Sequence, residues 1–289
     1  MAASFVTAAD GTQLSVRVTG LANGPACVLL DGIGCDGYIW RYLRPFLRRH
    51  ARVIHMHYRG HGLSAIPQDD KTLTIEQCGH DVWQVLDSLH VQDVILFGHS
   101  MGVQVALATA HQNPQRIHAL VLACGAFEKP LDTFHGSDLG ARVLPVLSGA
   151  LFRWTDKVRD AWQRYLPTEA AYWLAVATEI NSKMIRRDDF LPYLAHMSKM
   201  DPVVFMKFLQ SAAAHSSRAY LHELTAPALV VAASQDHFTP AHLSQQLAHL
   251  LPNAEICMMP GASHAAPLEL PDLLELRLEE FARRVALWP

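Results

Sequence analysis

Short apolar runs alternate with amphipathic stretches along the first 125 residues and again near the end of the chain. A period-2 run, TAADGTQLSVRVTG, comes first and contains a turn signal at Asp10-Gly11. The nearly continuous apolar runs that follow are CVLL, RVIHM, DVILF, IHALVLA, ALVVAAS and AEICMM. Buried strands that alternate with helices are typical of a parallel sheet covered on both faces. The pattern therefore predicts an α/β fold with a mostly parallel sheet.

The alternation of strand and helix patterns is interrupted between about Gly125 and Leu224. The interruption is helical in pattern and far longer than an ordinary loop. We expect residues 1–125 and 225–289 to form the two parts of a sheet domain, and residues 126–224 to form a helical cap. Because open α/β sheets bind ligands beyond the carboxyl ends of their strands, such a cap would cover that crevice. Its large apolar side chains, most of them in its own core and some facing the crevice, are Phe127, Phe134, Leu144, Phe152, Trp154, Trp162, Tyr172 and Trp173.

Composition excludes several classes of function. The chain has 289 residues and a net charge of −3, with Lys and Arg scattered rather than clustered, so we expect no nucleic-acid partner. No apolar run approaches about 20 residues, so no membrane span is expected. The first residues lack the pattern of a secretory signal, and the five cysteines are widely spaced without a CxxC pair. These features predict a reduced, cytoplasmic protein.

The densest group of histidines is His55, His57 and His61, in VIHMHYRGHG. His55 and His57 would share one face of an extended strand, which is compatible with metal binding. No acidic residue or cysteine falls at a ligand spacing nearby in the sequence. We therefore predict no metal site there.

The stretch DVILFGHSMGVQVALATA places Ser100 between two glycines, where a strand pattern changes to a helix pattern. A Gly-x-Ser-x-Gly match arises by chance in about one chain of this length in ten, so the pentapeptide alone does not decide. Its position between strand and helix is the context in which the turn exposes a nucleophilic hydroxyl. A serine hydroxyl also needs a base, and the base needs a group that orients it.

Two later loops supply these groups. Asp236 follows the run ALVVAAS, and His264 follows the run AEICMM. Both would lie at the carboxyl edge of the sheet, as Ser100 does, and the chain order Ser, Asp, His is the one expected for an α/β-hydrolase. Taken singly, Asp236 could be a helix cap before Pro240 and His264 a solvated loop histidine. Together the three residues predict a catalytic triad.

The motifs DGIG (31–34), YRGHGLS (58–64), GHSMG (98–102), SQDHFTP (234–240) and GASHAAPLE (261–269) resemble those of the α/β-hydrolase superfamily. The resemblance extends over nearly the full chain. It implies an eight-stranded, mostly parallel sheet with helices on both faces and a helical cap. It also implies that the backbone amides of Ile33 and Met101 form an oxyanion hole.

Three positions near these motifs carry further expectations. Many relatives have His-Gly where this chain has Asp31-Gly32, and a carboxylate facing an oxyanion would oppose it. We therefore expect the Asp31 side chain to point away or to be hydrogen-bonded. The loop YRGHGLS lacks the Lys-Ser/Thr of a phosphate-binding loop, and we expect Arg59 to bind backbone carbonyls there. Cys35 and Trp40 could line a pocket or belong to the core.

The sequence thus favours a serine hydrolase that cleaves a carboxylic ester or lactone, without a cofactor or metal. The apolar cap favours a small-molecule substrate with an apolar acyl or alcohol group. A cofactor-free haloperoxidase or perhydrolase, a C–C bond hydrolase or lyase, and a non-enzymatic receptor of the same fold are the alternatives. The serine argues against dehalogenase or epoxide-hydrolase chemistry, which would need a nucleophilic aspartate. The natural substrate and the oligomeric state are left open.

Overall fold

The computed structural model describes residues 3–132, 136–178, 181 and 183–288. Eight strands form one sheet in the order β1-β2-β4-β3-β5-β6-β7-β8. Strand β2 is antiparallel to β1 and β4, and the other neighbours are parallel. The expected fold is therefore confirmed. The strands are β1 (Ser4–Thr7), β2 (Gln13–Gly20), β3 (Ala26–Leu30), β4 (Arg52–Met56), β5 (Val94–His99), β6 (Ile117–Ala123), β7 (Ala228–Ala233) and β8 (Ala254–Met259).

Helices connect the strands and cover both faces of the sheet. In sequence order they are α1 (Leu43–His50), α2 (Ile75–Ser88), α3 (Met101–Gln112), α4 (Leu139–Arg153), α5 (Thr155–Tyr165), α6 (Glu169–Thr178), α7 (Arg187–Met197), α8 (Pro202–Ala214), α9 (Ala241–Leu250), α10 (Ala266–Glu269) and α11 (Pro271–Val285). The sequence pattern located the later strands closely but did not separate the four-residue β1 from the turn that follows it.

Alternate residues of each central strand belong to different buried clusters. Leu96 of β5 packs with α2 and α3 on one face, whereas its neighbour Phe97 packs with α1 and α11 on the other. Strand β5 is buried along its whole length, with β3 on one side and β6 on the other. Ser100, which directly follows β5, therefore extends from a strand that is fixed by a neighbouring strand on each side.

Helices α4 to α8 lie between β6 and β7, within the segment 126–224, which we call the helical segment. Phe208 of α8 joins the buried cluster of one sheet face, and Tyr172 of α6 joins that of the other. Helix α4 packs in a smaller cluster of its own, with Leu131, Leu144, Leu151 and Met206. The division of the chain into domains at residues 125 and 224 stays a prediction.

The aromatic side chains of the helical segment do not all behave as expected. Trp154 is 55% exposed and Trp173 is 61% exposed, so neither lies in a core. Trp162 packs against Phe205, and its indole donates to the Met197 carbonyl. Phe134 lies outside the described residues.

Candidate active site

Ser100 is the single residue between the end of β5 and the start of α3. Its backbone has φ 55° and ψ −121°, a conformation that costs a non-glycine residue about 1–3 kcal/mol. The neighbouring backbone holds it there: the Ser100 amide donates to the Ala123 carbonyl at 3.1 Å, and the Val103 amide donates to the Ser100 carbonyl at 3.0 Å. The sharp turn directs the hydroxyl to the carboxyl edge of the sheet.

The two glycines of the motif are required by close packing around this turn. A Cβ atom on Gly102 would lie 2.2 Å from the carbonyl oxygen of Leu30, and one on Gly98 would lie 2.5 Å from the carbonyl oxygen of Gly102. Either contact is far inside van der Waals distance. The glycines therefore bring α3 against the end of β3, where the loop beginning at Asp31 starts.

His264 lies in the loop after β8 and contacts Ser100 directly. Its Nε2 atom is 2.9 Å from Ser100 Oγ, and its Nδ1 atom is 2.9 Å from Asp236 Oδ2. The ring of Phe238 stacks on the imidazole, with the ring centres 5.0 Å apart. The imidazole is therefore fixed at both nitrogens and on one face.

Asp236 lies in the loop after β7, and its carboxylate is fully buried. Oδ1 accepts hydrogen bonds from the amides of Phe238 and Thr239, while Oδ2 accepts one from the Thr239 hydroxyl. Burial alone would raise the pKa of Asp236, but attraction to His264 and these hydrogen bonds outweigh it and lower the pKa. Taken singly, Asp236 could have been only a helix cap before Pro240, but its carboxylate accepts hydrogen bonds from the amides of that loop and also contacts His264.

The ionised state of Asp236 fixes the tautomer of His264. A carboxylate only accepts hydrogen bonds, so the neutral imidazole carries its hydrogen on Nδ1. The lone pair of Nε2 is then directed at the hydroxyl of Ser100. This is the arrangement in which a histidine can accept the serine proton.

His99, the residue before Ser100, is a contact that sequence reasoning missed. Its Nε2 atom lies 2.9 Å from the carbonyl oxygen of His264, so the ring donates a hydrogen bond to the loop that holds the imidazole. Burial, followed by the nearby His264, lowers the pKa of His99 to about 3, so this ring is neutral. His99 directly precedes Ser100, but no signal in the sequence predicts its contact with the loop of His264, 165 residues away.

The amides of Ile33 and Met101 lie on the two segments that meet at Ser100. Met101 is the first residue of α3, so its N–H has no acceptor within the helix. A Cβ atom on Gly32, next to Ile33, would lie 3.1 Å from Ser100 Cβ. Among the described residues, neither amide donates a hydrogen bond within the protein. Both are therefore available to a ligand atom.

Asp31 is hydrogen-bonded, as expected. Its Oδ2 atom lies 2.7 Å from Nε2 of His55, and both side chains are buried. The Tyr58 hydroxyl donates to the Asp31 carbonyl at 3.1 Å. The side chain of Asp31 is thus bound by a histidine that the sequence suggested only as a possible metal ligand.

The role predicted for Arg59 is wrong. The buried guanidinium binds the carboxylate of Asp81 through two hydrogen bonds, at 2.7 and 2.6 Å, and also contacts Asp10 and Thr72. Within the described ranges it binds no backbone carbonyl, and a buried cation is stabilised by pairing with a carboxylate. Cys35 and Trp40 are both buried and belong to the core.

Side chains from the helical segment reach both loops that carry the site. A Cβ atom on Gly34, in the loop after β3, would lie 3.3 Å from the sulfur of Met197 and 3.7 Å from the ring of Phe205. One on Gly261, in the loop before His264, would lie 3.7 Å from the sulfur of Met184. The helical segment therefore places apolar side chains against both of these loops.

The described ranges contain neither a candidate metal centre nor a candidate membrane span. No three His, Cys, Asp or Glu side chains are grouped there as metal ligands. None of the helices described combines the length and the apolar character that crossing a membrane requires.

Comparison with known proteins gives consistent matches. Residues 25–271 match the family described as alpha/beta hydrolase fold. The protein named "Putative carbamate hydrolase RutD" from Agrobacterium fabrum is 28% identical over 265 residues, which covers 90% of this chain and 94% of that protein. The 3-oxoadipate enol-lactonase 1 of Acinetobacter baylyi is 31% identical over 122 residues, or 42% of this chain and 45% of that protein. Among solved structures, a thermophilic esterase from Thermogutta terrifontis has the same fold, with a TM-score of 0.78 and 22% identity over 99% of both chains.

Proposed function

This chain belongs to the α/β-hydrolase-fold family, and we propose that within it the protein is a serine hydrolase that cleaves carboxylic esters, lactones included. The observation that carries the proposal is the line of two 2.9 Å contacts from Ser100 through His264 to Asp236. The hydrolase and lactonase names of its relatives support the reaction class.

Acylation would begin at the Ser100 hydroxyl. As Oγ attacks the acyl carbon, its proton passes to Nε2 of His264, and Asp236 stabilises the imidazolium that forms. The carbonyl oxygen becomes an oxyanion, which the amides of Ile33 and Met101 would bind. Loss of one such donor costs about a hundred- to thousandfold in rate. His264 then gives its proton to the leaving alkoxide, and the acyl group remains on Ser100.

Deacylation would follow the same path with water as the nucleophile. His264 takes a proton from the water as its oxygen attacks the acyl carbon, and the same two amides bind the second oxyanion. The proton then returns to Ser100 Oγ as the acid leaves. Every step uses groups of this chain.

The substrate would carry an apolar group on the acyl or the alcohol side. Met184, Met197 and Phe205 adjoin the loops around Ser100, and Phe238 covers one face of His264. Such a surrounding favours hydrocarbon over charged groups, at about 25 cal/mol per Å² of apolar area removed from water.

The test is hydrolysis of p-nitrophenyl esters of increasing acyl length, followed by release of p-nitrophenolate. We expect turnover by the native chain, and a loss of about a millionfold in kcat for Ser100→Ala. Ser88→Ala, at the exposed end of α2, is the matched control and should retain the native rate. Turnover that survives Ser100→Ala would refute the mechanism. A folded native chain that cleaves no ester or lactone would favour the receptor alternative.

Carbamate cleavage is the second candidate, because the relative that matches 90% of this chain is named for it. The same three residues would act, with His264 protonating a nitrogen or oxygen leaving group. The two candidates separate when kcat/KM is compared for a p-nitrophenyl ester and the carbamate of the same size. A higher value on the carbamate would replace the ester in this proposal.

A further inference from the structure

A cavity of about 600 Å³ lies between the sheet and the helical segment, apart from the Ser100 site. Its walls come from β2, from the loop after β4, and from the region of α5 and the end of α7. Of the described residues that line it, none is Ser100, Asp236 or His264. Its volume falls in the range of small-molecule sites, about 300–1,000 Å³.

The charges on its walls leave an excess of cations. The carboxylate of Asp36 lies 3.0 Å from His196, and that of Asp201 lies 2.9 Å from Arg159. Arg17 and Lys199 also line the cavity, and within the described part of the chain neither forms an ion pair. Three permanent cations, Arg17, Arg159 and Lys199, thus line the cavity against two carboxylates, and both carboxylates already contact a side chain of the protein.

His57 adds a hydrogen-bond donor to the same walls. Its Nδ1 atom accepts a hydrogen bond from the Leu63 amide at 3.0 Å. Burial, and after it the charge of His55, lowers the pKa of His57 to about 4, so the ring is neutral and carries its hydrogen on Nε2. No acceptor for this N–H is found among the described residues.

Large apolar side chains are exposed beside these donors. Leu63 is 58% exposed and Ile66 is 53% exposed, and both line the cavity. A ligand that covered them would gain about 25 cal/mol per Å² of apolar area removed from water. The cavity therefore combines a group of donors with an apolar surface.

We propose that this cavity binds an amphiphilic carboxylate, with its head at Arg17, His57 and Lys199 and its hydrocarbon part against Leu63 and Ile66. A carboxylate only accepts hydrogen bonds, so it matches three donors for which the described part of the chain provides no acceptor. An ammonium head would meet two unpaired cations instead. The binding is independent of the reaction at Ser100.

The test is calorimetric titration of octanoate into the full-length protein in low salt. We expect the dissociation constant to rise about tenfold in the double variant Arg17→Gln/Lys199→Gln, because both charge contacts of the carboxylate are then lost. The matched control is Lys157→Gln/Arg164→Gln on α5, which removes two cations that do not line the cavity. It should bind octanoate as the native chain does.

Two further arms separate this site from the Ser100 site. Octanol should bind more weakly than octanoate, and octanoate should still bind when Ser100 carries a covalent phosphonate. Equal affinity for octanoate in the native chain and in Arg17→Gln/Lys199→Gln would overturn the proposal, as would equal affinity for octanol, loss of binding on phosphonylation, or no binding by the native chain. A failure of the proposed function would appear in ester turnover, which this titration does not use.

Discussion

Two histidine–aspartate pairs are built near Ser100, and they differ in what surrounds them. His264 and Asp236 come from the loops after β8 and β7, and their contact is 2.9 Å. His55 and Asp31 come from β4 and the end of β3, and their contact is 2.7 Å. In the first pair the second imidazole nitrogen meets a serine hydroxyl, whereas among the described residues no hydroxyl is hydrogen-bonded to the imidazole of the second pair, which is buried. A histidine–aspartate pair therefore takes a catalytic or a structural role according to the group at its second imidazole nitrogen, which for His264 is the Ser100 hydroxyl.

The largest expected difference comes from making the same change in both pairs. Asp236→Asn should lower kcat by about 10⁴, because an amide that donates to Nδ1 favours the wrong tautomer of His264. Asp31→Asn should keep kcat within about tenfold of the native value, because it contacts no reacting atom. Ester kinetics and urea unfolding of both variants provide the measurement. Equal losses of kcat would remove the distinction between the pairs.

The buried pair of His55 and Asp31 should show its contribution in the free energy of unfolding. His55→Leu leaves the buried Asp31 carboxylate without its partner, which costs about 3–5 kcal/mol. The double variant Asp31→Asn/His55→Leu should recover part of this loss, since no charge is then left buried. Urea unfolding of the two single variants and the double variant gives the coupling between them. Additive losses would mean that the two side chains do not act as a pair.

Two buried histidines that pair with no carboxylate among the described residues, His99 and His61, should affect stability at acid pH. Burial lowers the pKa of His99 to about 3 and that of His61 to about 4. In the unfolded chain a histidine titrates near 6.5, so below that pH the unfolded state binds protons that the native state excludes. Their contribution to stability is complete above about pH 6.5 and is lost progressively toward pH 4.

The free energy of unfolding should be lower at pH 5 than at pH 7, by about 2 kcal/mol for each of these two histidines. His61→Phe, which keeps a ring against Phe208, should remove one such contribution from the difference between the two pH values. Urea unfolding at both values is the measurement. An unchanged difference in His61→Phe would show that His61 is not the group that titrates.

The sequence predicted the strands and the residues near Ser100 because their positions follow from local patterns. A residue just after a parallel strand lies at the carboxyl edge of the sheet, so Asp236 and His264 could be placed without knowing the strand order. The pairing of Asp31 with His55, by contrast, could not be predicted without the strand order. Leu29 of β3 is the register partner of His55 only because β4 is the neighbour of β3.

Side-chain roles that depend on packing were the harder part. Local sequence does not indicate the partner of Arg59, because the buried carboxylate of Asp81 lies on a helix 22 residues away. Tyr172 and Trp173 are neighbouring aromatic residues of the helical segment, yet Tyr172 is buried and Trp173 is exposed. Local sequence gives the same expectation for both, and tertiary contacts separate them.

The smallest expected effect concerns how many hydrogen bonds each of the two carboxylates accepts. Asp236 accepts hydrogen bonds from two amides and the Thr239 hydroxyl besides its contact with His264. In Asp31, by contrast, Oδ1 has no partner among the described residues. If full satisfaction keeps Asp236 aligned with the imidazole, Thr239→Val should lower kcat/KM about tenfold, the equivalent of about 1.4 kcal/mol. Thr239→Ser, which restores the hydroxyl, should recover most of the loss in the same ester assay. A native rate in Thr239→Val would mean that the two backbone amides suffice to hold the carboxylate.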